Sequence, residues 1–206
     1  MEFATGLGFL ASCTMMGKIK VLGIAGSPRE GSYNRKLLAL AAKMLAVQGV
    51  EVEVFDVLEH KIPMFDPNLG AKGSLPPVVK SMREKILSAD AVLFACPEYN
   101  AGYTPLMKSI IDWGSTSDPE TSLKSVWKDK VGAVMSASPG AFGGVLGLVA
   151  IRQSLAHVEV LLIPQFTVVP VAHEAFKEDG SLTNERSASM LGVVLNRLVE
   201  VATKLK

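Results

Sequence analysis

Three continuous apolar runs, each ended by small or ring-constrained residues, constrain this chain more than any other feature. Lys20-Val21-Leu22-Gly23-Ile24-Ala25 stops at Gly26, Ala91-Val92-Leu93-Phe94-Ala95-Cys96 stops at Pro97, and Val131-Gly132-Ala133-Val134-Met135 gives way to serines and glycines. A strand that is apolar at every position is covered on both faces, which is the condition of a parallel sheet between helices. Helical spacing separates the runs. Leu37, Leu38, Ala41, Met44 and Leu45 form one stripe closed by Gly49, and Val79, Met82, Ile86 and Leu87 form another behind Pro76 and Pro77. Leu106, Met107, Ile110 and Ile111 follow a Thr104-Pro105 start, and Val145, Leu148, Val149 and Leu155 follow Gly143-Gly144. Leu191, Val194, Leu195, Leu198 and Ala202 mark a last helix. Residues 50–57 alternate valine with charge, as a half-exposed strand near a sheet edge does. Residues 59–75 and 115–129 are expected to be loops, and 158–171 to hold one or two strands broken at Pro164. The pattern predicts an α/β fold, a doubly wound five-stranded parallel sheet with helices on both faces.

Composition narrows the class. With 206 residues, 49% hydrophobic and 20% charged, the chain can bury a core and is not disordered throughout. A net charge of +1 gives no electrostatic footprint for nucleic acid. No apolar run reaches the ~20 residues of a membrane-spanning helix. The two cysteines, Cys13 and Cys96, fit neither a disulfide framework nor a zinc site, so no metal centre is expected. These features together suggest a cytoplasmic protein. Residues 1–17 differ from the rest. Glu2 stands where a secretory signal needs a basic start, and Thr5, Gly6 and Gly8 interrupt the apolar stretch. The expectation is a disordered leader, or a translation start placed ahead of Met15 or Met16, before a domain spanning 18–206.

Ligands of open α/β sheets collect beyond the carboxyl ends of the strands. The segments there are Gly26-Ser27-Pro28-Arg29-Glu30-Gly31-Ser32-Tyr33-Asn34, then Pro97-Glu98-Tyr99-Asn100-Ala101-Gly102-Tyr103, then Ser136-Ala137-Ser138-Pro139-Gly140-Ala141-Phe142-Gly143-Gly144. The first combines hydroxyls, an amide and a fixed cation with a helix start, whose N–H groups favour an anion. Ser and Asn also cap helices, but capping does not call for Arg29 there. The segment is neither a P-loop nor a dinucleotide fingerprint, so a phosphorylated mononucleotide suits it better. The second segment could border a flat heterocycle or be an ordinary polar turn. The third lets a ring or chain approach the backbone closely, or is simply flexible.

Gly-Ser-x-Arg-x-x-Ser-x-Asn at 26–34 and Pro-Glu-Tyr-Asn-x-x-x-x-Pro-x-x-x-Lys at 97–108 resemble the NAD(P)H-dependent FMN reductase family, whose fold is flavodoxin-like and whose members include quinone, chromate and azo-dye reductases. The resemblance implies bound FMN, with NAD(P)H as co-substrate. By position, Ser27, Arg29, Ser32 and Asn34 would hold the phosphate, with Tyr33 beside them. Pro97, Glu98, Tyr99 and Asn100 would border the ring system, and Ser136, Ser138 and Gly140 would flank it from the other side. The implied reaction is a ping-pong transfer of two electrons from NAD(P)H to a small acceptor such as a flavin or quinone. The flavin would carry that chemistry, with no catalytic side chain. His60, His157 and His173 lie outside the three segments, and Cys96 reads as a buried inert thiol. The alternative is a flavodoxin-like electron carrier or sensor that does not turn over NAD(P)H; near-neutral charge disfavours it. The apolar helix at 104–113 suggests a homodimer or homotetramer.

Overall fold

Lys20–Ala25 (β1) is an inner strand of the observed architecture, buried from Val21 onward. In the computed structural model the described residues are 18–70 and 73–206, so the leader expected over 1–17 lies outside them. β1 is flanked by Glu51–Phe55 (β2) and Ala91–Ala95 (β3), and the sheet continues through Val131–Ala137 and Leu161–Val169. Two short strands, Glu98–Tyr99 (β4) and Gly102–Tyr103 (β5), form a separate hairpin, which makes the last two sheet strands β6 and β7. The order β2-β1-β3-β6-β7 is parallel throughout, the flavodoxin-like arrangement with its winding reversal between β1 and β3.

Each face of the sheet buries its own core. On one side Tyr33–Val47 (α1) brings Leu37, Leu38, Ala41 and Leu45 against β1, and Glu185–Leu205 (α7) brings Leu191, Val194, Leu195 and Leu198 against β6 and β7. The other side is covered by Pro77–Ser88, Pro105–Ser115 and Val145–His157. Single helical turns at Val57–His60 (α2) and Pro67–Gly70 (α3) precede these, which are therefore α4, α5 and α6. Among the described residues no helix is long and apolar enough to cross a membrane.

The structure revises several expectations. The loop expected over 59–75 contains α3 and the end of α2, whose N-cap is Asp56 through its contact with the Leu58 N–H. Pro164 does not break its strand. β7 is an edge strand with a register shift against β6 between Gly132 and Val134, where the missing N–H of a proline costs least. Leu87 and Val149 lie on the outer sides of α4 and α6, 45% and 64% exposed, whereas Arg83 and Gly147 are among the buried residues of those helices. Arg83 is buried and donates to the carbonyls of Trp113, Gly114, Thr116 and Leu123, fixing the polar loop after α5. Burial pulls its pKa below the usual arginine value, with Asp118 opposing that shift.

The surplus apolar surface expected on α5 is also absent. Met107, Ile110, Ile111 and Trp113 are buried by the chain itself. Phe65 packs edge-on against Trp113, the Trp113 indole donates to Pro63 O, and Trp127 donates to Ile111 O.

Candidate functional site

β1 ends at Ala25, and Gly26 passes its N–H to Ala95 O while its carbonyl accepts from Thr104 Oγ1 at 2.7 Å. Thr104 thus ties the exit of β1 to α5, which it also caps through the Met107 N–H. The next residues bend into the N-terminus of α1. Ser32 is the N-cap, its hydroxyl accepting from the Arg35 N–H at 3.4 Å, and Ser27 Oγ accepts from the Arg29 N–H at the same distance. Both hydroxyls still have a proton to donate. The first N–H groups of α1 have no intrahelical acceptor. Arg29 is exposed, and among the described residues its guanidinium makes no ion pair.

Asn34 takes a different role from the one expected. Its Nδ2 donates to Ala137 O at 2.8 Å and its Oδ1 accepts from the Ala137 N–H at 3.0 Å. The side chain is buried in that double contact, which clamps α1 to the end of β6. It positions the first loop against the third rather than presenting both ends of its amide to a ligand.

The second loop is the β4–β5 hairpin. Asn100 and Ala101 both have positive φ, 50° and 61°, as a two-residue turn of type I′ requires. Two-residue strands are too short for a period-2 pattern to reveal. Tyr99 is half-exposed and Tyr103 shares a 2.7 Å hydrogen bond with Ser154 on α6. Glu98 also turns toward α6, where Oε2 accepts from the Gly147 N–H at 2.8 Å. The N-cap of α6, Gly144, offers no side-chain cap, so the hairpin carboxylate satisfies one of the orphan donors of that helix.

The third loop is held closely. Gly144 has φ 89°, and a Cβ there would overlap Ser136 Oγ. Ser136 is fully buried beneath it, and among the described residues its hydroxyl has no hydrogen-bond partner. Ser136 therefore does not face the crevice as expected. Ser138 does, its Oγ accepting from the Gly140 N–H at 3.3 Å. Gly140 lies farther out, with its carbonyl accepting from Gly143 and Val171.

The three loops meet in a hollow of about 90 Å³. Ser27, Arg29, Ser32, Tyr33 and Asn34 line it from the first loop, Pro97, Glu98 and Tyr99 from the second, and Ser138 from the third. Ala137 and Pro139 also line it, a backbone contribution that side-chain chemistry could not have signalled. Asn100, Ser136 and Gly140 do not. The volume is below the roughly 300–1,000 Å³ of small-molecule pockets, room for one end of a larger molecule only. A hollow of about 720 Å³ beside β7, α6 and α7 contains none of the expected residues. Cys96 is buried under the hairpin; burial, with the Glu98 charge adding, pushes its thiol up to about 12.

Comparison with known proteins agrees with this arrangement. The family described as NADPH-dependent FMN reductase matches residues 19–174. The chain is 38% identical over 193 residues to an NAD(P)H:quinone oxidoreductase of Solanum tuberosum, covering 91% of this chain and 95% of that protein. It is 36% identical over 186 residues to an NAD(P)H-dependent FMN reductase of Pseudomonas aeruginosa, covering 89% and 95%. Among solved structures it is similar to FerB, a flavoenzyme NAD(P)H:(acceptor) oxidoreductase from Paracoccus denitrificans, with a TM-score of 0.76, 28% identity, and coverage of 90% and 98%. With the sheet order, the three converging loops and these relatives in agreement, the chain belongs to the NADPH-dependent FMN reductase family.

Proposed function

We propose that the protein binds FMN across these loops and acts as an NAD(P)H-dependent reductase of quinone-type acceptors. The observation that carries this reading is the hollow at the N-terminus of α1, where a guanidinium without an ion pair among the described residues and two donor hydroxyls surround helix N–H groups that have no intrahelical acceptor. That donor set fits a phosphate dianion: Arg29 brings fixed charge, Ser27 and Ser32 bring hydroxyl protons, and the helix start adds its dipole. Tyr33 lines the same hollow and stacks parallel to Phe176, with ring centroids 6.4 Å apart.

FMN held here would supply two-electron chemistry between NAD(P)H and the acceptor. The chain supplies position. Pro97 stiffens the exit from β3, Tyr99 offers an exposed aromatic surface, and Glu98 holds the hairpin against α6. Asn34 holds the first loop to the third. No side-chain acid or base is needed. Glu98 is engaged by a backbone N–H, and His60 is stacked on Phe55 away from the hollow.

Titration of the flavin-free protein with FMN tests the cofactor: quenching of flavin fluorescence to a stoichiometric end point is expected. NAD(P)H consumption that requires a quinone, with parallel double-reciprocal lines, tests the reductase reading. FMN binding without such turnover would favour the electron-carrier alternative. The same proposal includes a homodimer or homotetramer, no longer through α5 but through the exposed apolar ridge of Phe142, Leu146 and Val149 beside the third loop. A monomer mass by light scattering at micromolar concentration would refute that part. Cytoplasmic placement belongs to the proposal too, supported by the free thiol of Cys96.

A further inference from the structure

The hairpin of β4 and β5 has anchored roots and a body held from one side. Before it, the Cys96 N–H donates to Met135 O at 2.8 Å, and after it Thr104 Oγ1 donates to Gly26 O at 2.7 Å. Between those anchors the hairpin forms its own two-stranded sheet, apart from the five-stranded one. Its body leans on α6. The Gly147 N–H donates to Glu98 Oε2 at 2.8 Å, and the hydroxyls of Tyr103 and Ser154 share a 2.7 Å hydrogen bond. Gly147 and Ser154 stand seven residues apart on α6, which puts both on one face of that helix.

Between these bonds the two main chains come close together. A Cβ on Gly147 would stand 3.1 Å from Gly102 O, 3.1 Å from Glu98 Cβ and 3.2 Å from Glu98 Cα. Alanine is the better helix former, so the packing, not the helix, calls for glycine here. The Tyr103 ring packs against the core beneath, which fixes the direction of its hydroxyl. Tyr99 and Ser138 line the hollow from the second and third loops, and α6 starts where the third loop ends. The first loop is held separately, by the clamp of Asn34 on Ala137. A shift of the hairpin on α6 therefore moves the wall that carries Tyr99 and leaves Ser27, Arg29 and Ser32 in place.

We propose that Gly147, Tyr103 and Ser154 are positioning residues that set acceptor selectivity. By docking the hairpin on α6 they fix the gap between Tyr99 and the third loop, and with it the size of quinone that this wall supports. The selectivity half of the proposal rests on the flavin reading above; the docking half does not.

The variants are Tyr103→Phe and Ser154→Ala, which each delete the shared bond, and Gly147→Ala, which pushes the hairpin outward. Amide hydrogen exchange of residues 98–103 in the flavin-free protein reads the docking. It is expected to quicken at least about fivefold in each variant, with the amides of α1 unchanged. In the FMN-loaded protein, Tyr103→Phe and Ser154→Ala should raise the KM for the two-ring quinone menadione at least about threefold. Its kcat, the KM for one-ring benzoquinone and the FMN affinity should stay within about twofold. The double variant should match either single one, because both remove the same bond. Unaltered exchange, or additive effects in the double variant, would overturn the docking role. Faster exchange with the two quinones affected alike would overturn the selectivity role. Failure of the unaltered protein to bind FMN would overturn the flavin reading and the selectivity with it, and leave the docking to be judged by exchange alone.

Discussion

The two ends of the sheet handle charge in opposite ways. At the amino end, charged groups are satisfied by one another and by nearby backbone. Asp90 accepts from the Lys20 N–H at 2.8 Å and from Lys206 Nζ at 2.9 Å, and Lys206 also donates to Lys18 O. Lys130 donates to the carbonyls of Leu87 and Ala89. At the carboxyl end, Arg29 and Lys36 have no ion pair among the described residues and Ser136 Oγ has no partner. Backbone in the left-handed region occurs at both ends, at Gly49, Asp129 and Glu159 ahead of the strands and at Gly31, Asn100, Ala101, Gly143 and Gly144 beyond them, so the uncommitted groups alone carry the contrast. Satisfied polar groups stabilise a fold, whereas uncommitted donors persist where something else is to be bound.

Substitutions can break this contrast, and the largest effect belongs to the third loop. Gly144→Ala sets a Cβ against Ser136 Oγ at a φ of 89°. It should destabilise by about 2–4 kcal/mol and abolish tight FMN binding; thermal melts with and without FMN measure both. Arg29→Ala comes next, with FMN affinity reduced by about 1.5–3 kcal/mol and folding stability unchanged within about 0.5 kcal/mol. Equal affinity in a titration would remove the phosphate role. Glu98→Ala removes the remote cap of α6 and should cost about 0.5–2 kcal/mol of stability, whereas Glu98→Gln, which keeps an acceptor oxygen, should recover much of it. Identical melts for the two variants would show that the Gly147 contact contributes nothing.

The smallest effect sharpens the comparison from the other end. The Asp90 pKa is lowered: burial opposes its ionisation, but the Lys20 N–H and the Lys206 ammonium outweigh it. Its contribution is therefore complete above the unfolded carboxylate pKa of about 3.9 and is lost as pH falls through the lower folded value. Asp90→Asn should cost less than about 1 kcal/mol near neutral pH, with that difference shrinking below pH ~4 and FMN affinity unaffected. A change in FMN affinity would mean that the two ends are coupled.

What could be read in advance follows from the range of the interactions. β1, β3 and β6 announce themselves because burial on both faces demands apolar residues in succession, and Thr104-Pro105 announces α5 because a cap is local. Asn34 and Glu98 can be assigned to the hollow from the sequence but not given their roles, and Ser136 lies outside it. The partner of Asn34 lies 103 residues away and that of Glu98 lies 49 away, at distances no spacing rule covers. Ser136 is hidden by a glycine whose approach depends on a backbone angle. The apolar surface of the helix at 104–113 is used up in a related way, because Phe65 and the polypeptide around Pro63 cover Trp113.

The position of Cys96 has a chemical consequence for the proposed reduction of quinones. Quinones are electrophiles that add to thiolates, and a sulfur held near pKa 12 carries almost no thiolate at neutral pH. Sealed beneath the hairpin, this sulfur is withheld from arylation. Turnover of such acceptors would then leave Cys96 unalkylated.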